Sequence, residues 1–257
     1  MMPLASLFRS RQAADEVPRV AIMGGLRTGT NYLKFLLESN YVVRGDFNGF
    51  GWKHGGVPIL PAGGPCAYPD IPLCYIVKNP FAFVRSLHRY HCRKRDQGHA
   101  ISLVAAELWD EFLTSPIVIF DSQLAGSPQL RFANPVHYWN FLYWNLETLD
   151  RQRFRVWGVN YEDLVADPQR LREIEGVAPL VRRQAEIVTP GNQLKRLGGG
   201  ADVAAATGYE TTESFDVDVY TSAAYLDAFT DAQRAFIRDE ADSWLIDRRG
   251  YTDLMRA

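Results

Sequence analysis

A glycine-rich turn between a buried strand and an amphipathic helix is the feature that most constrains how this chain folds. Residues 19–24 are apolar enough for a buried strand, and residues 28–40 place leucines on one helical face. Gly24 and Gly29 mark the turn between them. Such a turn points backbone N–H groups and the positive end of a helix dipole at one place, where they bind an anion. The sequence therefore predicts a phosphate site after the first strand.

The spacing of this turn is close to that of a nucleoside-triphosphate P-loop, and the difference is informative. Gly24 and Gly29 match the glycines of the G-x-x-x-x-G-K-[ST] pattern. Thr30 stands where the lysine for the β- and γ-phosphates is expected, and Asn31 where the magnesium-binding hydroxyl is expected. Arg27 supplies a positive charge within the loop instead. The turn is therefore predicted to bind a phosphate-like group without magnesium triphosphate.

Predicted strands alternate with predicted helices along the chain, which indicates an α/β fold. Strands are predicted at 19–24, 73–77 and 154–159, helices at 28–40, 80–95, 101–113, 135–144 and 230–247, and loops at 45–72 and 189–213. This order favours a three-layer sandwich with a mostly parallel central sheet and a P-loop-like phosphate-binding loop at the carboxyl end of one strand. Residues 1–18 are predicted to be a flexible tail and residues 19–257 a single domain, since a chain of this length builds one large core.

The charge and cysteine content argue against several classes of protein. The 28 Lys and Arg against 30 Asp and Glu give a net charge of −2, so no overall positive field attracts nucleic acid. The three cysteines have no metal-ligand spacing, and their odd number favours free thiols in a reducing compartment. The apolar runs are too short to span a bilayer, and residues 1–17 lack the apolar stretch of a signal peptide. We therefore expect a soluble, cytoplasmic protein without a membrane span, and the oligomeric state stays open.

A second basic motif follows the second predicted strand. Lys78 ends that strand, Asn79-Pro80 is typical of a helix start, and Ser86 lies two turns into the helix. Lys78 and Ser86 would both reach one anion at the carboxyl edge of the sheet, although a lysine before Asn-Pro is also common at ordinary helix starts. Two anion sites after two strands would suit a nucleoside with phosphates at both ends.

Several further groups each have two open interpretations. His54, preceded by Lys53 in a glycine-rich loop, suits proton transfer near neutral pH, or is a merely exposed histidine. Tyr161 would contact a base, whereas the acids after it would simply cap the next helix. The basic residues between 85 and 95 form a solvated helix face or attract a polyanionic acceptor. The aromatic segments 47–52 and 137–144 stack on a sugar or phenol, or pack in the core.

Taken in order, these motifs resemble those of the sulfotransferases that use 3′-phosphoadenosine-5′-phosphosulfate (PAPS). Residues 27–32, Arg-Thr-Gly-Thr-Asn-Tyr, resemble the 5′-phosphosulfate loop, and Lys78 with Ser86 resembles the 3′-phosphate motif. Lys53-His54, followed by the Pro-Ile-Leu-Pro run at 58–61, resembles the segment that carries the catalytic lysine and histidine in the cytosolic members. The segments 161–168 and 250–251 also resemble parts of the family, so that the resemblance covers residues 19–251.

The resemblance implies transfer of a sulfuryl group from PAPS to a hydroxyl or an amine of a carbohydrate or small molecule, with release of adenosine 3′,5′-bisphosphate (PAP) and no metal. The implied catalytic residues are Arg27, His54 and Lys53. The implied cofactor-binding residues are Gly25, Arg27, Thr28, Gly29, Thr30, Asn31, Tyr32, Lys78, Ser86, Tyr161, Lys195 and Arg196. Within this set Tyr32 would stack on adenine and Tyr161 would read the adenine edge.

This chain departs from the family pattern at four points. Lys78 replaces the more usual arginine, which exchanges a bidentate fork for a point charge. Lys53 directly precedes His54, whereas the cytosolic pattern has one residue between them, and Asn31 replaces a common threonine. The C-terminal Arg-Lys-Gly element has its nearest candidates in Lys195 and Arg196, close to the glycines at 198–200.

Two other functions compete with a sulfotransferase on the residues alone. A nucleoside or small-molecule kinase with a degenerate P-loop would turn over ATP with magnesium, although the lysine after Gly29 is absent. A non-catalytic nucleotide-binding module would bind PAPS and leave it unchanged with every acceptor.

Overall fold

A parallel sheet forms the centre of the computed structural model, which describes residues 17–57, 70–96, 108–119, 130–151, 153–177, 179–190, 192–196, 209–214 and 217–256. The strands in chain order are β1 (Arg19–Met23), β2 (Arg44–Asp46), β3 (Leu73–Val77), β4 (Ile117–Ile119), β5 (Leu130–Phe132), β6 (Val156–Asn160), β7 (Asn192–Arg196) and β8 (Tyr209–Ser214). The helices are α1 (Thr30–Asn40), α2 (Pro80–Asp96), α3 (Trp109–Thr114), α4 (Pro135–Glu147), α5 (Tyr161–Ala166), α6 (Asp218–Thr221), α7 (Asp231–Glu240), α8 (Ser243–Arg248) and α9 (Thr252–Arg256). Two 3₁₀ helices span Pro168–Glu173 and Ala224–Ala228.

The central sheet has the strand order β2-β1-β3-β6, and each of its three pairings is parallel. Met23 at the end of β1 is level with Tyr75, and Val77 at the end of β3 is level with Asn160 at the end of β6. The loops that follow β1, β3 and β6 therefore leave the same edge of the sheet. The predicted α/β class with a mostly parallel sheet is confirmed, and this carboxyl edge carries the site described below.

Hydrophobic residues of the sheet alternate between two clusters. Met23 and Tyr75 belong to one cluster, which also holds the buried residues of α2 and α4. Ile22 and Ile76 belong to the other, together with the leucines of α1 and with Leu164 of α5. Successive side chains of a strand point to opposite faces, so the two clusters lie on opposite sides of the sheet. The sheet is thereby buried on both faces, as parallel sheets usually are.

Most predicted elements are present, with shifted ends. The strand predicted at 73–77 is β3, the helix predicted from Pro80 is α2, and the helix predicted at 28–40 begins two residues later, at Thr30. The helix predicted at 101–113 is described only from Trp109, as α3, and its earlier residues lie outside the described part of the chain. The predicted tail at 1–18 also lies outside that part, apart from its last two residues.

Two predictions about the second half of the chain are wrong. The single helix predicted at 230–247 is two helices, α7 and α8, because Asp242 caps a new helix by accepting from Leu245 N at 3.0 Å. Asn140 of α4 stabilises the break, since it donates to Glu240 O at 2.7 Å and accepts from Asp242 N at 2.9 Å. The loop predicted at 189–213 contains β7 and β8, which pair in antiparallel fashion. Within the described residues, no helix is long and apolar enough to cross a membrane.

Asn79 joins four parts of the fold at the start of α2. Its Oδ1 accepts from Ala82 N at 2.9 Å and so caps the helix, while its backbone N–H donates to Glu162 Oε1 at 3.1 Å. Its Nδ2 donates to Glu162 Oε1 at 2.6 Å and to the Tyr225 hydroxyl at 3.1 Å. Tyr251 donates to the second oxygen of Glu162, at 3.1 Å. A fully buried asparagine thus holds one carboxylate to the end of β3.

Asn79→Ala is expected to lower the free energy of unfolding by about 3 kcal/mol. Loss of a helix cap costs about 1 kcal/mol, and a donor removed from a carboxylate adds roughly 1–3 kcal/mol. Asn134→Ala is the matched control, because Asn134 caps α4 in the same Asn-Pro context while its amide meets the more exposed Glu240. Urea unfolding of both variants measures the difference, and equal losses would contradict the role given to the Glu162 contact.

Candidate functional site

A cavity of about 240 Å³ opens at the carboxyl edge of the sheet. Its walls come from the loop after β1, the segment 53–54, the end of β3 with the following turns of α2, the start of α5, and α6. Three of these segments directly follow β1, β3 and β6. Ligands of parallel sheets bind at this edge, so the cavity lies where the sequence places the site.

The loop after β1 holds an unusual backbone conformation. Arg27 has a φ of 65° and Gly29 a φ of 96°, both in the left-handed region. A Cβ at position 29 would lie 2.5 Å from the Tyr161 ring, so Gly29 is required by space as well as by backbone angle. A left-handed arginine is rare and costs free energy, and such residues concentrate at functional sites.

Helix α1 begins directly after this loop and faces the cavity with its first residues. The first backbone hydrogen bond of the helix runs from Leu33 N to Gly29 O at 2.9 Å. The amides of Thr30, Asn31 and Tyr32 precede that bond and take no part in it, as at every helix start. These three residues line the cavity, so a cluster of backbone donors meets the positive end of the helix dipole there.

Not every residue predicted in the loop reaches the cavity. Gly25 is buried, and its N–H donates to the Tyr143 hydroxyl at 3.4 Å. Thr28 is fully buried and donates from Oγ1 to Gly25 O at 2.8 Å. Both residues lie beneath the wall and fix the shape of the loop. Tyr32 lines the cavity but is almost entirely buried, with its hydroxyl donating to Leu164 O at 3.1 Å.

The tyrosines of α4 support the loop from below. Tyr138 accepts from Leu26 N at 3.2 Å and donates to His54 O at 2.8 Å. Tyr143 donates to Ile76 O at 3.0 Å, and Trp139 donates from Nε1 to Lys78 O at 2.8 Å. The sequence predicts either stacking on an acceptor or packing in the core for the aromatic segment 137–144. These three side chains belong to the core, where their polar ends hold the backbone of the site.

The Lys78–Ser86 pair lies at the end of β3, as predicted. The Lys78 Nζ donates to Ser86 Oγ at 3.4 Å and lies 4.0 Å from the centre of the Tyr161 ring. Lys78 is only 3% exposed, and its burial lowers the pKa of the ammonium, an effect that Tyr220 and Glu162 oppose. A positive charge kept from water attracts an anion more strongly than a surface lysine does.

Tyr220 is a site residue that the sequence did not reveal. Its ring lies 4.9 Å from that of Tyr161, and Lys78 Nζ lies 4.8 Å from its centre. The charge of Lys78 lowers the pKa of the Tyr220 hydroxyl. Tyr220 sits in the four-residue helix α6, in a segment that matches none of the motifs, and only the fold brings it to Lys78.

Lys53 and His54 are held against the phosphate loop. Gly24 N donates to Lys53 O at 3.0 Å, and the Nδ1 of His54 donates to Gly24 O at 2.6 Å. The Nζ of Lys53 donates to Asn31 Oδ1 at 3.3 Å and lies 3.5 Å from the centre of the Phe47 ring. A lysine from a different segment thus reaches the part of the loop where the sequence lacks one. The Pro-Ile-Leu-Pro run at 58–61 lies outside the described residues.

His54 is neutral in the protein without ligand. Burial lowers the pKa of its imidazole to about 3, with the positive charges of Lys53 and Arg27 adding to the effect. Because a carbonyl oxygen only accepts, the bond to Gly24 places the imidazole proton on Nδ1 and leaves Nε2 as the nitrogen that accepts. The same positive charges that suppress protonation of His54 would be offset by a bound anion.

The side chains of Lys195 and Arg196, both predicted for the site, lie outside the described part of the structure, which gives only their backbone. They end β7, opposite Glu210 and Tyr209 of β8, and β7 lies against α1.

A second cavity, of about 390 Å³, runs along β6. Its charged groups pair with one another, as in Arg170 with Asp163 at 3.0 Å and Arg249 with Glu147. None of the residues predicted for the site lies in it.

Comparisons with known proteins leave the function to be argued from this geometry. No protein-family model matches the chain, and no curated protein matches it.

Stability is expected to fall in acid because of His54. Its pKa is about 3 in the folded protein and about 6.5 in an unfolded chain, so only the unfolded state gains a proton between these values. The group is neutral in both states above pH 6.5, and from there downward it costs about 1.4 kcal/mol of stability per pH unit. His54→Asn keeps a donor near the Nδ1 position and does not titrate. Urea unfolding from about pH 7 to pH 4 should therefore give a shallower pH dependence for the variant. Parallel curves would disprove the buried, neutral state of His54.

Proposed function

We propose that this chain is a sulfotransferase that transfers a sulfuryl group from PAPS to a hydroxyl or an amine. One observation carries the proposal: the glycine loop after β1 and the Lys78–Ser86 pair after β3 open into the same cavity. β1 and β3 are neighbours in the sheet, so the two positively charged sites lie close together. A nucleoside with anions on its 5′ and 3′ sides suits such a pair of sites, whereas AMP and ATP carry phosphate on one side only.

In this proposal the loop and the start of α1 form a P-loop-like site for the 5′-phosphosulfate. The amides of residues 30–32 and the guanidinium of Arg27 meet its oxygens. Lys53 supplies a positive charge next to Asn31, in the absence of a lysine within the loop. Lys78 and Ser86 bind the 3′-phosphate, and Tyr161 contacts the adenine. The helices on both faces of the sheet then form the outer layers of a three-layer sandwich, in one domain over residues 19–257.

The chemical step is a direct displacement at sulfur. The acceptor oxygen or nitrogen forms a bond to sulfur while the bond from sulfur to the bridging oxygen of the 5′-phosphate breaks. The electron pair of that bond stays on the phosphate, which leaves as PAP. Arg27, Lys53 and the loop amides stabilise the charge that develops there, and groups oriented in this way typically contribute about 10²–10³ in rate.

His54 takes the acceptor proton in this scheme. Its Nε2 is the accepting nitrogen, and the imidazole lines the cavity. Burial and the charge of Lys53 lower its pKa, which makes it a weak base. The phosphosulfate carries negative charge to the same place, so binding of PAPS raises the pKa of His54 toward the range in which a general base operates.

The acceptor class in this proposal is a carbohydrate or another small molecule, with no metal in the reaction. The proposed localisation is cytoplasmic, since the odd number of cysteines favours thiols in a reducing compartment. The rim of the cavity is formed by Arg89, Tyr90 and Arg93. An aromatic ring beside guanidinium groups suits a sugar or phenol better than an apolar lipid.

PAP is expected to bind at least about tenfold more tightly than AMP in the absence of magnesium, because a charge-assisted hydrogen bond contributes roughly 1.5–3 kcal/mol. Lys78→Met should weaken PAP binding by about the same factor and leave AMP binding unchanged. Arg155→Met is the matched control, since Arg155 is exposed and precedes β6, at the edge of the sheet opposite the cavity. Calorimetry measures all of these constants. Equal affinity for AMP and PAP would overturn the cofactor assignment, and tight binding of ATP only with magnesium would favour a kinase.

Two variants of His54 separate proton transfer from positioning. If His54 is the base, His54→Asn and His54→Ala both lower kcat by roughly 10²–10⁴, because neither has a basic nitrogen. His54→Asn keeps a donor for Gly24 O, so its affinity for PAP should stay close to that of the wild type. Release of PAP from PAPS in an acceptor screen gives kcat. An active His54→Asn with an inactive His54→Ala would assign His54 to positioning of the loop.

A further inference from the structure

The cavity is lined by more positive charge than the proposed cofactor uses. Within the described residues its lining includes five cationic side chains and no carboxylate. These side chains are Arg27, Lys53, Lys78, Arg89 and Arg93. The proposed 5′ and 3′ anion sites use the first three. Arg89 and Arg93 remain, at the rim, and the proposed reaction gives them no role.

The two rim arginines lie on one face of α2. Arg85, Arg89 and Arg93 are spaced four residues apart, so their side chains follow one another along the helix. α2 has no acidic residue before Asp96, so the repulsion between these like charges is not relieved within the helix itself. Arg89 and Arg93 are exposed and reach into the cavity from its edge.

Arg93 also lies close to the proposed reaction centre. Arg27 places its guanidinium carbon 5.8 Å from the centre of the Tyr90 ring, and Tyr90 is one helical turn before Arg93. The charge of Arg93 is near enough to that of Arg27 to lower the pKa of the Arg27 guanidinium, in addition to the effect of burial. An anion bound at Arg93 therefore sits beside the group that Arg27 holds.

We propose that the acceptor is itself an anion, and that Arg89 and Arg93 bind its carboxylate, sulfate or phosphate group next to the nucleophilic hydroxyl or amine. This inference rests on the proposed sulfotransferase function. Tyr90 lies between the two arginines in the sequence and offers a ring face to the body of the acceptor. The arrangement selects acceptors by charge, because two guanidinium groups favour an anion and repel a cation.

Two pairs of small probes test this acceptor class on the protein saturated with PAP. The pairs are 4-hydroxyphenylacetate with its neutral amide, and methyl glucuronide with methyl glucoside. We expect at least one anionic member to bind about tenfold more tightly than its neutral partner, which is the usual effect of a charge-assisted hydrogen bond, and its advantage to fall as salt is added. Calorimetry measures binding, and PAP release from PAPS measures whether kcat/KM follows the same preference.

The double variant Arg89→Ala/Arg93→Ala should abolish that preference while the protein still binds PAP. Binding of PAP to the double variant shows that it is folded. The control is Arg153→Ala/Arg155→Ala, which removes the same charge from exposed residues before β6, at the opposite edge of the sheet. Equal binding within both pairs, no binding of either anion, or a preference that survives in the double variant would overturn the inference. A protein that fails to bind PAP would instead overturn the proposed function, which separates the two.

Discussion

The hydrogen bonds from the aromatic side chains of α4 are the interaction on which the site depends. Tyr138, Trp139 and Tyr143 are buried, yet their polar ends reach the backbone of the phosphate loop, of the His54 segment and of the end of β3. Buried polar groups must be paired, so each of these bonds fixes both the aromatic ring and the backbone that it meets. One helix therefore sets the relative positions of three loops that are far apart in the sequence.

Electrostatics in the cavity follow from this rigidity. Lys78 and His54 are both held away from water, which lowers the pKa of each group. The two groups differ in the charges that act on them. Glu162 opposes the lowering of the pKa of Lys78, whereas Lys53 and Arg27 add to the lowering of the pKa of His54. Within the described residues the cavity lining carries cations and no carboxylate, which favours an anionic ligand. Arg89 and Arg93 add two further positive charges to the cavity lining.

The sequence was a good guide to elements that short-range rules control and a poor one to their ends and partners. The Asn-Pro pairs at 79–80 and 134–135 start α2 and α4 as predicted, because capping depends on neighbours in the chain. The break between α7 and α8 depends on Asn140, which lies about a hundred residues away, and no local pattern marks it. The sequence predicts a loop where β7 and β8 lie, because these residues show little periodicity. The two strands form because they pair with each other, and single-sequence patterns do not reveal such pairing.

By itself, the sequence determined the strand–loop–helix after β1, the Lys78–Ser86 spacing and the parallel sheet, since each follows from residue type and spacing. Only the tertiary structure decided which of the predicted residues meet. It placed Gly25 and Thr28 beneath the cavity, and it brought Lys53 to Asn31 and Tyr220 to Lys78. The physical reason is that burial and pairing between distant side chains depend on how whole elements pack, and sequence spacing carries no record of that packing.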